Sequence, residues 1–241
     1  MITQPSSRLP LFALATGYRL VLASASPRRR LFLSEWGLPF ELARPDGAEP
    51  LPAPGENPDA YTRRAATAKA HAVAAGLPGA SATGKVRPHD RAIILAADTV
   101  VTVDGDILGK PDDSPHALDM LHRLSGRGHE VISAVCLLLP PQADNAPMDA
   151  TESFAGAEEL VFSDVSRVFF HPWPENVLRA YVETGEPRDK AGAYAIQGQG
   201  AFLVDRIEGS WSTVVGLPVT QLARLLLDRG FMLPCSSHRS F

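Results

Sequence analysis

The chain has 241 residues, 21% of them charged and 45% hydrophobic, and a net charge of −4. It can therefore bury a sizeable core as one large or two modest domains, and its acidic balance excludes a general nucleic-acid binder. Two cysteines, Cys136 and Cys235, exclude a disulfide framework and fit a reducing, cytoplasmic setting, while no apolar run nears the roughly 18 residues of a membrane span.

In chain order, residues 1–17 read as an N-terminal extension, since their short apolar piece LFALA lacks the charged start and long apolar core of a signal peptide. Tyr18–Ala23 predicts a strand, Pro27–Trp36 a helix, Phe40–Ala43 a second strand and Pro58–Ala75 an alanine-rich helix. A Gly-, Pro- and Ser-rich loop over 76–90 precedes the buried strand AIILAADTVV, and VTVDGDIL turns as a hairpin at Asp104-Gly105. Ser114-Pro115 opens a helix that runs to about Leu124. Two long strands, HEVISAVCLLL and ELVFSDVSRVFF, flank a surface insertion over 140–156. Pro174 opens another helix closed by Gly185; a Gly-rich stretch follows, then the helix LPVTQLARLLLDRG. Residues 231–241 read as a C-terminal tail. The alternation predicts a single α/β domain over 18–230 with a mixed sheet, because the hairpin interrupts the parallel pattern.

Four stretches carry chemical potential. In Ser24-Ala25-Ser26-Pro27-Arg28-Arg29-Arg30, a Ser26 cap and a proline in the first helical turn leave backbone amides and the positive end of the helix dipole for an anion. Helical residues turn by about 100° each, so one arginine faces the site. Arg28, nearest the cap, is the choice; Arg29 and Arg30 are expected to face solvent or an acidic partner. The plain alternative is a capped helix with a solvated basic turn.

Asp98, at the end of the run AIILAA, is a carboxylate in apolar surroundings that must pair, bind a metal or face a cleft. Lys110, in Gly109-Lys110-Pro111, either reaches back across the hairpin towards Asp98 or is an exposed loop lysine. In Asp189–Gly198 (DKAGAYAIQG) the small residues allow close approach to a ligand and Gln197 offers both donor and acceptor, although packing alone also accounts for such a loop. Glu49, in a Pro-rich loop, is either a metal ligand or a surface charge; Lys69, on the alanine-rich helix, either touches phosphate or is solvated. The seven histidines show no spaced metal-binding pair, and no Gly-x-Ser-x-Gly elbow or P-loop is present. Arginines and lysines for an anion, with carboxylates suited to Mg²⁺ or Mn²⁺, point to phosphate chemistry.

In this order the segments LASASPRR, AADTVV, GKP, LSGRGHEV, GEPRDKAGAYAIQG and VVGLP resemble the Maf family of nucleoside triphosphate pyrophosphatases, from Leu20 to Leu227. The resemblance implies a Maf/inosine-triphosphatase-like fold, an elongated mixed sheet with helices around a central cleft between two lobes. It implies metal-dependent hydrolysis of a nucleoside triphosphate to the monophosphate and pyrophosphate. Asp98 falls on the family's proton acceptor; Arg28, Thr99 and Gln197 fall on positions linked to substrate choice. Lys69 and Lys110 match cleft positions of the catalytic set, and Glu49 with Asp98 would hold the metal. Ser24, Ser26 and Lys190 are expected on the substrate. The DKAGAY-x-IQG form is similar to the subgroup acting on dTTP and UTP rather than on 7-methyl-GTP. Ala195 stands where the family has glycine, which is expected to crowd a turn or narrow the base pocket, and Trp211 replaces a tyrosine. A homodimer is a family-level expectation. The rival readings are a nucleotide-sensing regulator of septum formation, which needs no general base, and an RNA-binding module, which an acidic chain without clustered aromatics fits poorly.

Overall fold

The computed structural model describes residues 9–45, 47, 50–77, 91–141 and 157–235. Most of the 76–90 and 140–156 stretches, and Glu49, lie outside the described residues.

The chain first forms β1 (Phe12–Leu14) and β2 (Tyr18–Ala23), then α1 (Pro27–Glu35), β3 (Phe40–Ala43) and α2 (Pro58–Gly76). Asn57 starts α2 by accepting from the Asp59 and Ala60 amides at 2.9 and 3.2 Å, with Pro58 in the first turn. The next strand, β4 (Arg91–Val103), turns into β5 (Asp106–Leu108) through Asp104 and Gly105, both with positive φ, which matches the tight hairpin expected there. α3 (Ser114–Leu124) is capped one residue earlier than the sequence suggests. Asp113, not Ser114, accepts from the His116 amide at 2.8 Å. The long strands β6 (Gly128–Leu139) and β7 (Glu158–Phe170) lead to α4 (Glu175–Glu183). After a series of 3₁₀ turns come β8 (Val204–Glu208), α5 (Trp211–Val215), α6 (Val219–Asp228) and β9 (Met232–Pro234).

The main sheet runs β3-β2-β4-β6-β7-β8, with β5 also on β4. β3, β2 and β4 are mutually parallel and the remaining pairings antiparallel, so the sheet is mixed, as expected. Alternate residues of the central strands face opposite layers. Leu20, Leu22, Ile93 and Leu95 pack with α1 and α6 through Leu33, Leu222 and Leu226. Val21, Ile94 and Ala96 pack on the other face against Ala66, Ala70 and Val73 of α2. The alanines of α2 let the helix sit close on the sheet. A further core joins the far ends of β4 and β6 to α3, α4 and the 3₁₀ turns around Leu121, Leu178 and Leu203.

Two features position the cleft. β2 pairs with β4 only as far as Ala23 opposite Ala96, and β5 joins β4 only from Val101 opposite Leu108. Between them, residues 97–100 of β4 have no strand on that edge, while β6 pairs with them continuously on the other. The sheet is thus notched on one side at Asp98 and Thr99. Asp98 lies inside a long strand, not at its end as the sequence suggests; it is the neighbouring strand that stops.

The expected limits at residues 18 and 230 do not bound the packed body. β1 pairs antiparallel with β9, the Cys235 amide donates to the Leu11 carbonyl at 3.0 Å, and Phe231 and Met232 are fully buried with Leu20 and Leu226. The sequence shows neither strand as a pattern because each is only three residues long.

Candidate active site

The notch opens into a cavity of about 480 Å³, lined by Ser24, Ser26, Arg28, Arg29, Lys69, Asp98, Thr99, Lys110, Asp189, Lys190 and the segment Tyr194–Ile196, among others. That volume suits a small-molecule ligand. Five cationic side chains face two carboxylates among the described lining residues, a surplus of three positive charges in a chain whose net charge is −4.

Each group is there for a local reason. β2 delivers Ser24 and Ser26 to the mouth of α1. The Ser24 Oγ accepts from the Ser26 amide at 3.2 Å, and the Ser26 side chain makes no cap bond, so the first helical amides at the cavity rim keep their capacity for an anion. Arg28 reaches the cavity with its Nε buried and without a hydrogen-bond partner among the described residues. Burial pulls its pKa down, while the charges of Asp189 and Glu186 work against that shift. An orphaned, buried donor on a cation is costly unless an anion completes it.

Asp98 is 6% exposed and its Oδ1 accepts from the Lys69 Nζ at 2.5 Å, a contact made because α2 packs across the Asp98 face of β4. Lys110 follows the hairpin, and the Gly192 amide donates to the Gly109 carbonyl at 3.0 Å, tying the lysine loop to the 3₁₀ turns. Lys190 pairs with Asp189, whose carboxyl is held below the usual range chiefly by that hydrogen bond.

Arg29 departs from expectation. Instead of facing solvent, its guanidinium donates to the Gly216 carbonyl at 2.8 Å, the Ala97 carbonyl at 2.8 Å, the Ser24 Oγ at 3.1 Å and the Thr99 Oγ1 at 3.0 Å. One arginine thus fastens β2, the open edge of β4 and the turn after α5. Only Arg30 stays off the cavity lining.

A model of the Maf family, described as Maf-like protein, matches residues 19–229. The chain belongs to the Maf family. Its relatives include proteins named dTTP/UTP pyrophosphatase. The one from Nitratidesulfovibrio vulgaris is 50% identical over 211 residues, 88% of each chain. That from Oleidesulfovibrio alaskensis is 47% identical over 215 residues, 89% of this chain and 87% of the relative. That from Lawsonia intracellularis is 42% identical over 214 residues, 87% and 83% of the two chains.

Of the residues singled out in the sequence, this Maf chain brings Ser24, Ser26, Arg28, Lys69, Asp98, Thr99, Lys110 and Lys190 around one cavity. Gln197 is not among the lining residues. It sits half-buried at the start of the next 3₁₀ turn, and the wall is formed by Ala195 and Ile196 instead. A helical or strand period cannot show which side chains of such a turn point inward. Thr99 is in the cavity but already engaged, meeting Arg29 and, at 2.8 Å, the buried Ser133 Oγ. Ala195 needs no left-handed backbone, the only non-glycine residues with positive φ among the described residues being Asp104 and Ala193. Its methyl therefore narrows the cavity without straining the turn. Tyr194 was missed by the sequence reading. It lines the cavity, and its hydroxyl sits 2.8 Å from the Nε2 of buried His129.

Among the described residues no three His, Cys, Asp or Glu side chains gather as a metal cage. Asp98, beside a cavity rich in cations, does match the usual way Mg²⁺ is held, by one or two carboxylates with phosphate oxygens and water. Nor, among the described residues, is any helix long and apolar enough to cross a membrane.

Proposed function

We propose that this Maf protein hydrolyses nucleoside triphosphates, with dTTP and UTP as preferred substrates, to the monophosphate and pyrophosphate. The names of its relatives support the substrate pair. The observation that carries the chemistry is the gathering of Arg28, Lys69, Lys110 and Lys190 around Asp98 in one cavity. Four cations around one cavity complement a triphosphate, and the buried Arg28 Nε, without a hydrogen-bond partner among the described residues, is a donor that an anion would complete.

In this reading Arg28, Lys110 and Lys190 bind phosphate oxygens together with the amides at the start of α1. Lys69 fixes the Oδ1 of Asp98 and orients the carboxylate on the rigid frame of β4, and the Oδ2 takes the proton from the attacking water. Water attacks the α-phosphorus, the bond to the bridging oxygen breaks, and pyrophosphate leaves with its charge spread over the lysines. A divalent cation, Mg²⁺ or Mn²⁺, would be held by Asp98 and the phosphates, and would supply further charge neutralisation.

Assay of released pyrophosphate from a panel of nucleoside triphosphates tests the reading. dTTP and UTP should be turned over best, chelation should stop the reaction, and Mg²⁺ or Mn²⁺ should restore it. Asp98→Asn should lower kcat by about 10²–10⁴-fold with the fold intact, the range for losing a positioned general base. Near-normal turnover in that variant would remove Asp98 from the mechanism.

A further inference from the structure

The cavity wall at Ala195 and Ile196 belongs to a stretch of irregular backbone, and a carboxylate outside the catalytic set holds it in place. Glu186 lies just after α4. Its Oε1 accepts from the Gln199 amide at 3.1 Å and its Oε2 from the Gly200 amide at 2.8 Å. The Tyr181 hydroxyl, from the last turn of α4, packs against Gly200, where a Cβ would collide with it, and burial together with the nearby Glu186 carboxylate pushes its pKa up. Tyr181 in turn accepts from the Ala195 amide at 3.2 Å. One carboxylate thus holds two backbone amides beside the tyrosine whose hydroxyl takes the amide of Ala195, a residue that lines the cavity. Thr184 sets the approach, since its Oγ1 donates to the Tyr181 carbonyl at 2.7 Å and accepts from the Glu186 amide at 3.2 Å.

The packing is closed around this clasp. A Cβ on Gly198 would run into the Glu186 carboxylate, and one on Gly200 into the Tyr181 hydroxyl and the Ala195 carbonyl, 2.6 Å away. Both glycines of the GQG stretch are therefore explained by the space the clasp occupies. Glu186 also lies close enough to Arg28 to act on its charge from behind the cavity.

We propose that Glu186, acting through Tyr181, is a positioning residue for substrate binding, setting the wall at Ala195–Ile196 against which the nucleoside end of the triphosphate packs. This rests on the pyrophosphatase reading above. The reacting groups on β4 and α2 do not depend on the clasp, so its loss should weaken binding and spare the chemical step.

The test is a pair of variants, Glu186→Gln and Tyr181→Phe, and their double. Glu186→Gln keeps the shape but turns an amide NH₂ towards a donor; Tyr181→Phe leaves the Ala195 amide unpaired. Each should raise KM for dTTP and UTP about tenfold with kcat within about threefold, the signature of lost uniform binding. The double variant should cost less than the two effects combined, because both act on one packed cluster of contacts. Hydrogen exchange at the Ala195, Gln199 and Gly200 amides should quicken in Glu186→Gln.

Unchanged KM in both folded variants would overturn the proposal. So would a fall in kcat matching the fall in thermal stability, which would make the clasp merely structural. If the wild-type chain releases no pyrophosphate from any nucleotide, the enzymatic reading fails separately. Calorimetric titration with dTTP, together with the exchange rates, then decides the clasp: about tenfold weaker binding supports it, and equal affinity refutes it.

Discussion

Arg29 makes four hydrogen bonds from one guanidinium, two of them to main-chain carbonyls on different elements. Charge-assisted bonds of this kind are worth more than neutral ones, and removing the donor takes a partner from each of four acceptors on three stretches of chain. Arg29→Met should cost about 2–4 kcal/mol of stability in urea titrations, more than a surface arginine can. The 100° rule pointed one arginine of the three inward, whereas two reach the cavity. The rule governs Cβ directions, and a long side chain starting at the rim of the notch can reach the cavity from either side. Asp98 was legible for the opposite reason: a carboxylate inside an apolar run has few explanations, all of them local.

His129 supplies a pH dependence. Burial alone lowers its pKa to about 4, so the folded chain keeps it neutral. Between its unfolded value near 6.5 and about 4 the unfolded chain holds more protons. Stability is then fully present above pH 6.5 and is lost as the pH falls through that window, by about 3 kcal/mol. His129→Gln, which can still meet the Tyr194 hydroxyl, should flatten this part of the curve of urea midpoint against pH. An equally steep curve would assign the loss to other groups.

At the scale of elements, the longer strands and helices were readable because each is periodic, and β2 and β3 match their predicted spans. The short pieces β1, β8, β9 and α5 were not, since three to five residues carry little period, although β3, with four, was. The 3₁₀ turns over 186–203 follow yet another logic, in which glycines mark collisions avoided. Gly192, with φ of 66°, is packed so tightly on Val101 that a Cβ would lie 2.9 Å from that side chain. Gly192→Ala should therefore push the turns away from β4, lowering the melting temperature and raising KM together, measurable by thermal unfolding and pyrophosphate release.

At the scale of the molecule, the site concentrates positive charge within a chain of net charge −4. Such a cleft draws a polyanion in by long-range attraction that salt screens. kcat/KM for dTTP should fall several-fold between about 50 and 500 mM salt, as the Debye length shrinks to a few ångströms. Phe231 and Met232 make the end of the described chain part of the core, so Phe231→Ala should cost about 3–5 kcal/mol, as for a buried aromatic elsewhere, in the same urea titrations. Reading 231–235 as tail failed because a core contribution of two side chains leaves no pattern in the sequence.

The one-sided gap beside β4 has a kinetic corollary. The proposed base rides on a strand whose other edge is zipped to β6 from Ile94 to Thr102, so it has no private hinge by which to loosen while the body stays folded. Activity and tertiary structure should therefore vanish at the same denaturant concentration. Tuning this catalyst for cold or heat would then mean tuning the whole barrier to unfolding.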